Sequence, residues 1–489
     1  MNKDSLSVLV VTPEAAPLAR TGGLAEVAGS LPLALRDLGC RVAVAMPAYR
    51  CALESGREWD IAAKELPVRL GGVHLTAEVL VGELAPDVPI YLLRRDEFFD
   101  RGHLYGGGQG DYFDNPERFI FFSRAISPLC SSVGFVPDII LANDWQAGLV
   151  MPLLHLGALP RTAGVFTIHN QGFLGLVPPE RINNIGLPQR YYTLQGLEYY
   201  GQMSLLKAGI VYAQAVVTVS PTYAREIQTP EFGHGLDGLM RSISHRLYGI
   251  LNGVDYQVWN PATDEHLAAR YSPRDLSGKA RCKQELLLNM GLADYLRDKP
   301  VVGMVTRMTA QKGCSLVIEG IEELLKQDLG LIILGTGDAD FEAAFSEIQA
   351  LRPDRIGLAV DFDPPLARQI IAGCDMFLMP SLFEPCGLAQ MFSLKYGTVP
   401  IVRAVGGLSD TVMDPEEGRG PGTGFKFNRF RTHAMVRAVR RAVEAFNDRD
   451  RWRAMVLEGM ARDFSWDRSA REYLTVFERA IETRRRKQA

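Results

Sequence analysis

Glu384 stands in a loop punctuated by proline and glycine, residues 381–387, and a second loop, residues 306–313, carries two cations, Arg307 and Lys312. One carboxylate and two fixed cations suit transfer of a group away from a phosphate. The cations neutralise a departing diphosphate, and the carboxylate steadies the positive charge left on the group that moves. Each residue also has a plainer reading: Glu384 can cap the helix that follows it, and Arg307 and Lys312 can be solvated surface cations. Asp144 and Trp145 form a second candidate pair. The carboxylate can take hydroxyl hydrogen bonds while the indole covers the apolar face of a sugar; the alternative is a helix cap beside a core tryptophan. His169, followed by Asn170, ends an apolar run and either donates to a ligand oxygen or is a satisfied structural histidine. Arg20, Thr21, Gly22 and Gly23 precede a helical pattern, where glycines let backbone N–H groups approach a phosphate and Arg20 adds charge. Tyr105 opens a glycine-rich aromatic stretch, residues 105–113, which reads as a surface loop or as a loop that stacks on a sugar.

The elements that must position these residues repeat one pattern. Residues 7–11 are an apolar run broken at once by Pro13 and Glu14, a first strand rather than a signal peptide. A loop, a helix over 24–38 ended by Gly39, and a strand over 41–46 complete a mononucleotide-type unit without a strict GxGxxG. Residues 68–93 alternate as a strand pair and a further strand. Strands over 138–141 and 164–168 lead to Asp144 and His169, and a short strand over 248–250 leads to the turn holding Asn252. Residues 263–300 are polar and helical, and a second series of strands follows at 300–305, 330–334, 355–360, 375–379 and 399–402. Strand 376–379, the Glu384 loop, a helix over 388–396 stopped by Gly397 and strand 399–402 make one parallel crossover. Ligands of such sheets sit beyond the carboxyl ends of the strands, which is where all these candidates fall. Each series carries a Gly-Gly-Leu turn, residues 22–24 and 406–408.

Composition removes several classes. The chain has 489 residues, 47% hydrophobic, with a formal net charge of −4 and no basic domain, so nucleic acid is not an expected partner. No apolar run reaches the length of a membrane span. Seven scattered cysteines, without a CxxC, fit reduced thiols in a cytoplasm better than a disulfide frame or a zinc site. Asp-x-Asp triplets at 338–340, 361–363 and 448–450 are not read as metal sites, and the basic residues 484–487 read as a solvated helix end.

The blocks RTGGLAEVAGSLP, NDWQ, TIHNQG, TVSPTYAREI, LNGVD, TRMTAQKG, DMFLMPSLFEPCGLAQM and YGTVPIVRAVGGLSDTV run in order from Arg20 to Val412 and resemble the signature blocks of bacterial glycogen synthases and plant starch synthases. The resemblance implies an α/β fold of two Rossmann-like domains facing across a deep cleft, the GT-B architecture. The domains would be 1–258 and 259–465, with a C-terminal helix over 466–489 crossing back to the first. It implies transfer of glucose from ADP-glucose to the non-reducing end of an α-1,4-glucan such as glycogen, with retention of configuration, by same-face attack, without cofactor or metal. By the same resemblance Arg307 and Lys312 hold the diphosphate, Glu384 contacts the donor glucose and is needed for turnover, and His169 lies on the glucosyl group. Arg20, Gly22, Gly23, Cys386, Gly387 and Asn252 fall on the donor side; Asp144, Trp145, Asn170 and Tyr105 fall on the glucose or acceptor side. Arg20 stands where the family has Lys, Glu26 where it has Asp, and the loop after Asn170 is shorter than usual. UDP-glucose or a different acceptor is the alternative within the same enzyme class; a glucan-binding protein without turnover is the alternative outside it.

Overall fold

A computed structural model of the chain describes residues 5–107, 110–418 and 420–486. Residues 487–489, with Lys487 of the basic tail, and residues 108–109 of the glycine-rich stretch lie outside the described residues. The chain divides into two compact units. The first comprises residues up to Gly253 together with the helix Trp466–Arg486, and the second runs from Val254 to Ser465. Residues 254–258, placed with the first domain by the sequence, go with the second because their backbone and side chains are tied there. Val254 N donates to Phe464 O at 2.7 Å, and the Tyr256 hydroxyl bonds Phe464 N at 2.9 Å.

In the first unit, nine strands lie in the spatial order Leu247–Gly249, Ala215–Thr218, Ala163–Ile168, Ile139–Asn143, Ser7–Val11, Arg41–Pro47, Val88–Arg94, Val73–Ala85, Asp60–Leu70. The strands from Leu247–Gly249 to Val88–Arg94 pair in parallel, and the last two add on antiparallel. The central strands are apolar runs buried on both faces, as parallel strands covered by helices must be. Asp60–Leu70 begins well before residue 68, where the sequence reading put the first strand of this group. Its first residues are largely exposed and supply no apolar alternation to read. From Ser7–Val11 the chain winds to one side, then returns to lay Ile139–Asn143 on the other. The reversal leaves a crevice at the carboxyl ends of those two strands.

Among the described residues the sheet of the second unit has six strands, all parallel, in the order Ile356–Ala359, Gly330–Leu334, Val301–Val305, Met376–Met379, Val399–Arg403, Phe425–Phe427. Its reversal falls between Val301–Val305 and Met376–Met379. The helix Thr432–Asn447 closes one face, burying Met435, Val439, Ala442 and Phe446 on a single stripe. The helix Trp466–Arg486 packs in the first unit against the helix Gly23–Asp37 and the strands Ala163–Ile168 and Ala215–Thr218. It buries Trp466, Tyr473 and Phe477, and Ser469 Oγ donates to Leu251 O at 2.7 Å.

Candidate active site

In the second unit, the two loops singled out by their charges leave the two strands that flank the reversal. Lys312 Nζ donates to Glu384 Oε2 at 2.6 Å, and Ser381 Oγ donates to the same oxygen at 3.1 Å. The Lys312 and Glu384 side chains are 17% and 9% exposed, so the charges meet where water screens them poorly. Glu384 is not a helix cap: the helix Ala389–Lys395 starts from Leu388, with no side-chain capping bond. Backbone contacts lace the two loops together. Leu382 N donates to Gln311 O at 2.8 Å, and Gln311 Nε2 donates to Phe383 O at 3.3 Å. The second Gly-Gly-Leu turn packs against the Glu384 loop. Gly406 has φ +42°, and a Cβ there would stand 1.9 Å from Glu384 O; one on Gly407 would stand 2.2 Å from Cys386 O. Gln390 Nε2 donates to the carbonyls of Cys386 (3.2 Å) and Gly387 (3.0 Å), fixing the loop from below. Arg307 lies on the same loop as Lys312 and is exposed.

In the first unit, Asp144 and His169 come from the adjacent strand ends Ile139–Asn143 and Ala163–Ile168. Asp144 adopts φ +54°, and its Oδ1 accepts the backbone N–H of His169 at 2.7 Å rather than capping the turn of helix it opens. Burial pushes its carboxyl up to about 7, against the pull of the His169 and Asn170 backbone amides. The imidazole of His169 is buried, which moves it down to about 3, and its Nε2 lies 2.9 Å from Asn143 Oδ1. Asn170 Oδ1 accepts Gly172 N at 2.9 Å. The Trp145 indole sits edge-on to Phe119, ring centroids 5.0 Å apart, and packs on the backbone of Gly175, within the apolar cluster of this unit. Gly22 precedes the helix Gly23–Asp37 with no side-chain cap, and a Cβ on it would meet nothing within 4 Å, so the uncapped backbone N–H groups can be approached. Arg20 is exposed. Asn252, beyond the edge strand Leu247–Gly249, is buried with its Oδ1 unpartnered.

Two positions bonded to candidate residues escaped the sequence reading. Glu14, 3% exposed, accepts Thr21 N (2.6 Å) on one oxygen and Thr21 Oγ1 (2.7 Å) and Tyr105 Oη (2.6 Å) on the other. It thereby ties the first glycine loop and Tyr105 to the end of Ser7–Val11. The signal was an acid inside an apolar segment directly after a strand. Asn143 is the other, named only as part of a block. The structure thus gathers Lys312 with Glu384 in one unit, and His169, Asp144 and Asn170 in the other. Among the described residues, no group of three or more His, Cys, Asp or Glu is arranged to hold a metal ion, and no helix is long and apolar enough to cross a membrane.

Comparison with known proteins covers nearly the whole chain. The family model described as the starch synthase catalytic domain matches residues 7–242, and that of glycosyl transferases group 1 matches residues 295–455. A glycogen synthase of Desulfatibacillum aliphaticivorans is 46% identical over 98% of this chain and 100% of that protein. Glycogen synthase 2 of Geobacter sulfurreducens is 44% identical over 98% and 100%. A solved structure, the catalytic domain of starch synthase IV from Arabidopsis thaliana bound to ADP and acarbose, matches with a TM-score of 0.90 at 31% identity, covering 98% of this chain and 100% of that one. A sucrose-phosphate synthase from Thermosynechococcus elongatus shares the fold at a TM-score of 0.61 and 16% identity, over 98% and 99%.

Proposed function

The chain belongs to the family of the starch synthase catalytic domain and is a glucosyltransferase; from that premise we propose that it moves glucose from ADP-glucose to the non-reducing end of an α-1,4-glucan such as glycogen, with retention of configuration and without a metal. The observation that carries the reading is the buried Lys312–Glu384 pair at the reversal of the second sheet. Breaking a glycosyl–phosphate bond builds negative charge on the diphosphate and positive charge on the sugar. Lys312, with Arg307 on the same loop, neutralises the first, in the role a metal takes elsewhere; Glu384 and nearby backbone carbonyls steady the second. His169 and Asn170 meet the sugar, Arg20, Gly22, Gly23 and Asn252 the donor, and Cys386 and Gly387 the loop between them. The ADP and acarbose of the Arabidopsis relative support a donor built on ADP and an acceptor of linked glucose units. Same-face attack is the route to retention that this reading adopts. A sugar-nucleotide donor and seven reduced cysteines fit the cytoplasm.

The test is glucose incorporation into glycogen and short maltooligosaccharides from labelled ADP-glucose and, separately, UDP-glucose, each with and without EDTA. Incorporation from ADP-glucose, undiminished by EDTA, is expected. Incorporation only from UDP-glucose overturns the donor, and a strict requirement for a divalent cation overturns the metal-free scheme.

A further inference from the structure

Resting on the reading of His169 as a sugar contact, we propose that Asn143 is a positioning residue that sets the tautomer of His169, so that the imidazole meets the sugar as a hydrogen-bond acceptor through Nδ1. Asn143 is the last residue of its strand and 2% exposed. Its amide nitrogen lies 3.2 Å from Val11 O and 3.3 Å from Leu141 O, which uses both of its protons. A flipped amide would set an oxygen against those two carbonyls, so the oxygen must be the atom facing His169. That oxygen, 2.9 Å from Nε2, carries no proton, so Nε2 must donate. A neutral imidazole has one N–H, and with it spent on Asn143 the lone pair is on Nδ1. Of the two sequence readings of His169, donation to a ligand oxygen is thereby reversed to acceptance.

The surroundings keep the ring neutral. Its backbone is held by the Asp144 carboxylate, beyond which lie Glu14 and the Tyr105 and Tyr223 hydroxyls; His234 packs over Gly172 on the far side of the loop. Burial, with no carboxylate on the ring itself, holds the imidazole near 3. An acceptor at Nδ1 selects for a hydroxyl, which has a proton to give, and against a phosphate oxygen, which has none.

The test uses the full chain with nitrogen-labelled histidine, the His169 signals assigned by their loss in His169→Gln, together with pH profiles of kcat/KM. Wild type is expected to show a neutral ring protonated at Nε2 from about pH 5 to about pH 8, as the burial argument requires. Asn143→Ala should mix the tautomers and lower kcat/KM by about tenfold to a hundredfold, the range seen when partners orienting metal-bound imidazoles are removed. Asn143→Asp keeps the acceptor toward the ring but brings a charge to it and sets its second oxygen against the Val11 and Leu141 carbonyls, so its urea midpoint is measured alongside to show that it folds. Where folded, it should exceed Asn143→Ala in activity at high pH and add an acid-side fall beyond the one the Asp144 carboxyl gives wild type, because imidazolium has no lone pair to offer. A merely structural Asn143 would not move that profile. A wild-type ring protonated at Nδ1, or charged in this range, overturns the proposal. So does Asn143→Ala with mixed tautomers and unchanged kcat/KM. The tautomer readout needs no substrate, so a wild type that transfers no glucose would sink the proposed function and leave the assignment of Asn143 to be judged by the spectra.

Discussion

Removing one partner of the Lys312–Glu384 pair leaves the other charge mostly buried and alone, which costs far more than a surface pair would. Glu384→Gln keeps the shape and the bond to Ser381 while deleting the charge. On the proposed function it is expected to bind donor with little change and to lose about 10²–10³-fold in kcat, the range for one preorganised electrostatic group. Near-wild-type turnover, measured at saturating donor, would remove Glu384 from the chemistry. His169 gives a stability prediction of known sign. Its folded value, about 3, lies below the ordinary 6.5, so the unfolded chain takes up the extra proton and acid destabilises the fold from about pH 6.5 down to about pH 3. Asp144, raised from 3.8 to about 7, acts oppositely, since there the folded state protonates first and gains stability on acidification from about 7 toward 3.8. His169→Gln deletes only the first contribution. Relative to wild type, its urea midpoint should therefore shift upward on going from about pH 7 to about pH 5, and identical pH dependences would show that burial does not depress the imidazole.

At the scale of elements, both candidate clusters hang on loops that leave parallel strands at or next to a sheet reversal, and in the second unit glycines let those loops approach closely. Gly406→Ala would drive a Cβ into the carbonyl of Glu384 from a left-handed backbone. The loss should exceed the roughly 1–3 kcal/mol of backbone strain alone, and turnover should fall with it because the Glu384 loop must shift. A variant with wild-type midpoint and kcat would contradict that packing. The strands bearing these loops were legible because parallel strands buried on both faces read as plain apolar runs: Val301–Val305 and the run ending at Met379 stand out by composition. The exposed start of Asp60–Leu70 and the three-residue Phe425–Phe427 carry too little pattern, and the helices Asn115–Ser132 and Thr432–Asn447 went unread although the second has a clear apolar stripe. Lys312 and Glu384 could be named singly, yet their contact spans 72 positions and exists only through the fold. The same holds for Glu14 with Tyr105, and for Asn143 with His169.

At the scale of the molecule, relatives of the same family match the chain from end to end, and the division into two units places a sheet reversal in each. The helix Trp466–Arg486 is needed by the first unit, where it covers the helix Gly23–Asp37 and two strands with Trp466, Tyr473, Val476 and Phe477. Ending the chain after Ser465 is expected to leave that apolar face bare, giving protein that aggregates or is digested within residues 5–253 under limited proteolysis. A monomeric, protease-resistant product would show the helix to be dispensable.

Because the Val254 N–H donates a hydrogen bond to the Phe464 carbonyl, the segment between them begins and ends at neighbouring points. It is topologically a guest threaded into a host. A ribosome would therefore release every residue of the guest before the host received its last helix. The part of the protein begun first would be the part finished last, and a chaperone that shields exposed apolar surface would be needed longest at the amino-terminal half.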